Sequence, residues 1–231
     1  MYRRVFLMLC LVFAAVGFGF SQLSPALKAT VTAKLSDLIP ISYGSATESR
    51  DAAPWAASLI AAARAQIGVT MQYDGAYAQI AYPNGDVPME SGVCTDVVIR
   101  ALRASHGLDL QQSVHEDMLR AFSDYPALWG SSGPDSNIDH RRVPNLRRYF
   151  ERHGQSLPVS DRAEDYLPGD LVTWLFAPGK PHIGIVSDQT EARTGVPLIL
   201  HNAGAGTREQ GFLFAYPITG HYRLSPKPTG T

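Results

Sequence analysis

Gly92-Val93-Cys94-Thr95-Asp96-Val97-Val98-Ile99-Arg100-Ala101-Leu102 governs how this chain is read. Val97, Val98, Ala101 and Leu102 recur at the spacing of one helical face, and Gly107 marks a stop beyond Ser105-His106. The pattern predicts a helix that opens at Cys94, directly after a glycine-marked loop. A thiol there meets unpaired backbone N–H groups and the positive end of the helix dipole. Both favour the thiolate, which is the nucleophilic form. The competing reading is a buried cysteine acting as a small hydrophobe. What the rest of the chain supplies decides between them.

Far upstream, Tyr2-Arg3-Arg4 is a short basic start, and Val5 to Phe20 runs apolar without a charge. Residues 1–21 therefore read as a secretory signal peptide, with an uncleaved membrane anchor as the alternative. The expected location is outside the cytoplasm, in the periplasm or cell envelope. Cleavage removes Cys10, one of the 2 cysteines, and leaves Cys94 with no intramolecular partner. In an oxidising compartment such a thiol needs a use or deep burial. The same cut lowers the basic count from 20 to 18 against 21 acids, a mature charge of −3. That balance offers no basic field to nucleic acid. Membrane contact is expected only through an uncleaved N-terminal segment.

Residues 22–53 are rich in Ala, Ser, Thr and Pro and read as a linker. One domain is expected over 54–231, beginning at Pro54, a residue suited to a first helical turn. Trp55, Leu59, Ile60, Ala63 and Ile67 share a face and are expected in the core, with Gly68 ending the helix. Val69 to Asp86 carries Pro, Asn-Gly and Gly turn signals and reads as an irregular loop leading to Cys94. Ser113-Val-His-Glu116 reads as a capping box that starts a further helix. Asn137-Ile-Asp-His-Arg-Arg142 packs many polar groups ahead of a helix ended by Gly154.

The C-terminal third changes period. Leu171–Phe176, His182–Val186, Leu198–Asn202 and Phe212–Tyr216 read as strands, with a short one at His221–Arg223. Short turns between them argue for an antiparallel sheet after a helical half, an α+β fold. The chemical order is thus Cys94 on a helix, His182 at a strand entrance open to a cleft, and His201 at the end of the next strand. A thiol catalyst needs an imidazole partner, and that imidazole needs a polar group to fix its tautomer. Neighbouring antiparallel strands can set His182 beside His201. His106, His115, His153 and His221 read as packing or surface histidines.

These residues carry a resemblance. Gly92-Val-Cys94-Thr-Asp, Pro168-Gly-Asp170-Leu-Val-Thr-Trp174, His182-Ile-Gly-Ile-Val186 and Leu200-His201 resemble the motif series of NlpC-type and CHAP-type cell-wall peptidases, in the papain-like cysteine peptidase superfamily. More specifically, Tyr82-Pro-Asn-Gly-Asp86, Asn137 to Arg142 and Ala215-Tyr-Pro-Ile-Thr-Gly-His221 resemble the YijF-like family of exported bacterial proteins of unknown function. The first resemblance implies a papain-like (NlpC-type) fold, with a helical half carrying the nucleophile packed on the C-terminal sheet. It also implies Cys94 as nucleophile, His182 as base and His201 as the orienting residue, Asn202 being the substitute. Tyr73 resembles the tyrosine that helps hold the oxyanion, and Asp170 looks structural. The sequence departs from the NlpC pattern at Thr95-Asp96, where Ser-Gly is usual. Asp96 and Arg141 become candidates for a charged part of the substrate, and His140 stays open as a site residue.

The expected activity is a thiol hydrolase that cleaves an amide bond in peptidoglycan stem peptides, acting as a monomer without cofactor. Its partners would be peptidoglycan or its peptide fragments. Alternatives are a non-enzymatic cell-wall-binding module of the same fold, a zinc hydrolase using Cys94, His182 and His201, and acyl transfer by the same dyad. No HExxH or CxxC pair supports the zinc reading.

Overall fold

The computed structural model describes residues 48–224. The expected signal segment at 1–21 and the linker up to residue 47 lie outside the described residues. Four helices, α1 (Pro54–Arg64), α2 (Cys94–His106), α3 (Leu110–Ala121) and α4 (Val143–Arg152), precede most of the sheet. Two short strands, β1 (Gln72–Tyr73) and β2 (Ser91–Gly92), pair in parallel. Six more follow: β3 (Ser156–Leu157), β4 (Leu171–Ala177), β5 (Lys180–Thr190), β6 (Pro197–Asn202), β7 (Thr207–Gly211) and β8 (Ile218–Tyr222). They form one antiparallel sheet in the order β3-β8-β4-β5-β6-β7. The α+β architecture expected from the change of period is present.

Strand alternation divides the buried residues between the two sheet faces. Leu171, Ile183, Ile185 and Leu200 pack with Cys94, Val97, Val98, Leu102, Leu110, Leu146 and Phe150 in the larger core, under the helices. Val172, Trp174, Val186 and Ile199 pack on the other face with Tyr166, Phe212 and Leu213. Helix α2 is the central element, buried at every position from Cys94 to Leu102. Asp96, its third residue, reaches back to accept the Val93 N–H at 2.6 Å, and Gly107 (φ 63°) closes the other end in the left-handed conformation.

Several boundaries differ from the sequence reading, each for a local reason. Helix α1 stops at Arg64, and Ile67 is 42% exposed instead of buried. Helix α3 starts at Leu110, because Asp109 accepts the Gln111 N–H and caps it. Ser113 lies inside that helix, its hydroxyl turned back to the Asp109 carbonyl. The aromatic Phe212–Tyr216 segment is a turn that covers the second core, with Leu213 O accepting from the Trp174 indole at 2.8 Å. The strand is the polar Thr207–Gly211, which suits an edge facing solvent. Glu48 to Arg50, placed in the linker by composition, already pair with the tail of β5. Arg50 N–H donates to Asp188 O, Thr190 N–H to Glu48 O, and Ser49 bridges Gln189.

The long segment between β1 and β2 is irregular, as its turn residues predict, yet it is tied down along its length. Arg100, buried on α2, grips Asp86 with two hydrogen bonds (2.8 and 3.0 Å) and also donates to the carbonyls of Val87 and Ser91. Asp109 accepts the Asn84 N–H, and Gln111 binds Gly85 N, Ala81 O and Ser136 O. The Tyr82–Asp86 motif is thus tied through Gln111 to Ser136, the residue that precedes the Asn137–Arg142 motif.

Candidate active site

Cys94 is the first residue of α2 and is 3% exposed. The β1–β2 ladder sets Gln72 opposite Ser91 and Tyr73 opposite Gly92, which fixes Tyr73 beside the helix start. The Tyr73 hydroxyl and the backbone N–H groups of Ile183 and Thr95 lie around the sulfur and act to lower its pKa. The Ile183 N–H is available because β5 and β6 pair from Ile185↔Leu200 onward and not at the His182 end. Asn202 ties this arrangement together. Its side-chain amide donates to Gly92 O (3.0 Å) and Gln72 O (3.2 Å), joining the cysteine loop to β6.

The ionisation state differs from the expectation. Burial pushes the Cys94 thiol up to about 11, and the Asp96 carboxylate adds to that. The hydrogen bonds from Ile183, Tyr73 and Thr95 pull the other way without prevailing. The helix start therefore does not yield a resting thiolate, because removal from water outweighs the dipole. Tyr73, 45% exposed overall, is raised well above the ordinary phenol range, first by burial and then by Cys94.

His182 and His201 meet as their strands predict, with His182 Nε2 and His201 Nδ1 2.8 Å apart. The cleft expected at His182 is absent, since the ring is 2% exposed. It stacks on Phe176 (centroids 4.3 Å apart) and lies near Trp174 and Phe212. Burial, then the neighbouring His201, lowers His182 to about 2, and burial lowers His201 to about 3. Both imidazoles are neutral at ordinary pH. The one hydrogen bond of the His182 ring among the described residues runs to His201, and none runs to Cys94. The two histidines share the aromatic face of the sheet, whereas Cys94 packs in the larger core with Ile183.

The remaining candidates fall into place around α2. Asp96 and Arg141 form a buried two-bond ion pair, both contacts at 2.9 Å, and Arg141 also donates to Asp74 O and Ala76 O. Their charges neutralise each other and hold the loop, so neither is presented to a charged ligand. His140 is buried, lowered to about 4 by burial and then by Arg141, and its Nδ1 has no partner among the described residues. Asp170 accepts from Leu167 N, Arg223 and His221 (His221 Nε2 at 2.8 Å), as a structural role requires. His221 is a packing histidine, though buried, and His106 bonds to Trp55 O. No group of three or more His, Cys, Asp or Glu among the described residues is arranged to hold a metal ion. Sequence reasoning missed the anchoring role of Asn202 and the β1–β2 ladder. The ladder has two residues per strand, too short for a periodic signal.

The fold and this centre define an α+β domain with a buried cysteine at a helix start and a neutral histidine pair on the adjacent strands. Residues 60–224 match the family described as a domain of unknown function, DUF1287, and the chain belongs to that family. An uncharacterized protein, YijF of Escherichia coli (strain K12), is 56% identical over 165 residues, covering 71% of this chain and 80% of that protein.

Proposed function

We propose that this protein is an exported thiol hydrolase of papain-like architecture that cleaves an amide bond in peptidoglycan stem peptides. The observation that carries the reading is the set of donors converging on Cys94. Tyr73 and the Ile183 N–H both act on the Cys94 thiol to lower its pKa, and Ile183 directly follows His182 on β5. His182 Nε2 is committed to His201, so Nδ1 is the nitrogen left for the thiol proton.

With a neutral thiol and a neutral imidazole at rest, proton transfer accompanies attack. The step requires the His182 ring to turn at the β5 entrance, away from Phe176, and bring Nδ1 to Sγ. The Cys94 proton then passes to Nδ1 as sulfur bonds to the carbonyl carbon, and the Tyr73 hydroxyl supports the oxyanion. The C–N bond then breaks and the amine leaves with that proton. Water hydrolyses the thioester, returning a proton through His182 and releasing the carboxylic acid. For Nδ1 to accept, His182 must carry hydrogen on Nε2 and donate it to His201 Nδ1. His201 then carries its hydrogen on Nε2, a buried nitrogen with no partner among the described residues.

The test is digestion of purified muropeptides, read by mass spectrometry, with Cys94→Ala and His182→Ala beside the wild type. The reading expects new termini that depend on both residues. It fails if the wild type leaves the muropeptides intact or if Cys94→Ala cleaves equally.

A second reading, a non-enzymatic wall-binding module, is favoured by one observation. Cys94 is buried and shares no hydrogen bond with His182. It expects equal muropeptide binding by the wild type and Cys94→Ala, with no product from either.

A further inference from the structure

The short helical turn Asp139–Arg141 and the residue after it serve two sides of the molecule. Arg141 faces α2 and Asp96, while Arg142 faces away, into a cavity of about 110 Å³ between α3, α4 and the Tyr125–Ser131 loop. Phe122, Leu128 and Trp129 form its apolar wall, and Asp139, Arg142 and Asn145 its polar end. Nothing in the thiol chemistry uses these groups.

Three features of the cavity point to a ligand. Trp129 (φ 61°) and Gly130 (φ 65°) form a left-handed turn, a costly conformation for a bulky residue, and that turn sets Trp129 on the cavity wall. The Trp129 side chain is nevertheless 53% exposed, so burial of its ring does not explain that conformation. The Arg142 guanidinium lies over the Trp129 ring, 4.2 Å from its centroid, and its hydrogen bonds are two long ones, each 3.4 Å, to Ser131 Oγ and Asp139 Oδ1. Among the described residues its Nε and Nη2 have no hydrogen-bond partner. Last, the charges cancel: one guanidinium and one buried carboxylate share the polar end.

An anion would meet Asp139 and a cation would meet Arg142. A neutral ligand with hydroxyl donors, acceptors and one apolar face meets neither penalty. We propose that this cavity is a binding subsite for a neutral sugar ring. Its C–H face lies on the Trp129 side, and its hydroxyls engage Arg142 and Asp139. The proposal extends the hydrolase reading to the glycan part of the same polymer, but its argument rests on this cavity alone.

Isothermal titration of the full chain with chitotetraose, a neutral N-acetylglucosamine tetramer, tests it. Saturable binding is expected, weakened at least about tenfold (~1.4 kcal/mol) by Trp129→Ala and by Arg142→Ala. Trp129→Tyr, which keeps an aromatic ring on the loop, should retain most of the affinity and guards against a folding defect in the alanine variant. Cys94→Ala should bind as the wild type does, so failure of hydrolysis and failure of sugar binding are read separately. Absence of binding to the wild type overturns the proposal. So do equal affinities across the Trp129 and Arg142 variants, or tighter Arg142-dependent binding of a short acidic peptide.

Discussion

One face of the sheet carries two buried histidine groups with opposite electrostatics. At the β8–β4 end, His221 sits 2.8 Å from the Asp170 carboxylate, which Arg223 also grips with two hydrogen bonds. At the β5–β6 end, His182 has only another imidazole, inside a box of Phe176, Trp174 and Phe212. The first group has the carboxylate and imidazole of a catalytic relay and holds the start of β4 in place. The second lacks any acid, and burial, joined at His182 by the neighbouring His201, keeps its imidazoles neutral. Under the proposed hydrolase reading, the carboxylate beside His221 marks a structural group, and the histidine that matters lies on the strand next to Cys94.

The contrast is tested most sharply by activity. His182→Ala is expected to lower muropeptide turnover by about 10²–10⁴-fold, the range for loss of a general base, with the fold intact by circular dichroism. A His221→Asn variant that loses turnover to the same degree at full stability would reverse the assignment. Next in size is stability. Asp170→Ala strands Arg223 and His221 and should cost roughly 3–5 kcal/mol in urea unfolding, as for a broken buried ion pair. A loss no larger than that of His182→Ala would erase the distinction between the two groups.

The smallest effect concerns pH. His182, His201 and His140 stay unprotonated in the folded chain down to about 2, 3 and 4, whereas unfolded histidine titrates near 6.5. The unfolded state thus binds more protons as pH falls below 6.5. Stability is fully present above that value and declines below it. The expected slope is about 1.4 kcal/mol per pH unit for each such histidine between pH 6 and 5. A His182→Asn/His201→Asn variant should show about one third of the wild-type slope in urea midpoints over that window. An unchanged slope would mean that the pair is protonated in the folded protein.

The sequence made the helix at Cys94 legible because its apolar face and its stopping glycine are strong local signals. It also gave the neighbouring strands of His182 and His201, whose pairing follows from a short turn and an intervening hairpin. What stayed hidden is set by tertiary context. Burial reverses the expected thiolate, and no local pattern around Cys94 reports how much water α2 excludes. Asp96 and Arg141 look like free charges in the chain and prove to neutralise each other across 45 residues. Phe212–Tyr216 has strand-like residues but serves as a cover, because Trp174 and the second core need an aromatic lid more than the sheet needs another apolar edge.

The pairing of Glu48–Arg50 with the end of β5 has a mechanical consequence. Any load on the chain upstream of Glu48 enters the domain at Asp188–Thr190, as a short ladder that can peel one hydrogen bond at a time. His182 lies at the other end of the same strand, about 20 Å away at roughly 3.3 Å per residue. A tether there holds the domain by one end of β5 and leaves the end that meets Cys94 out of the line of force.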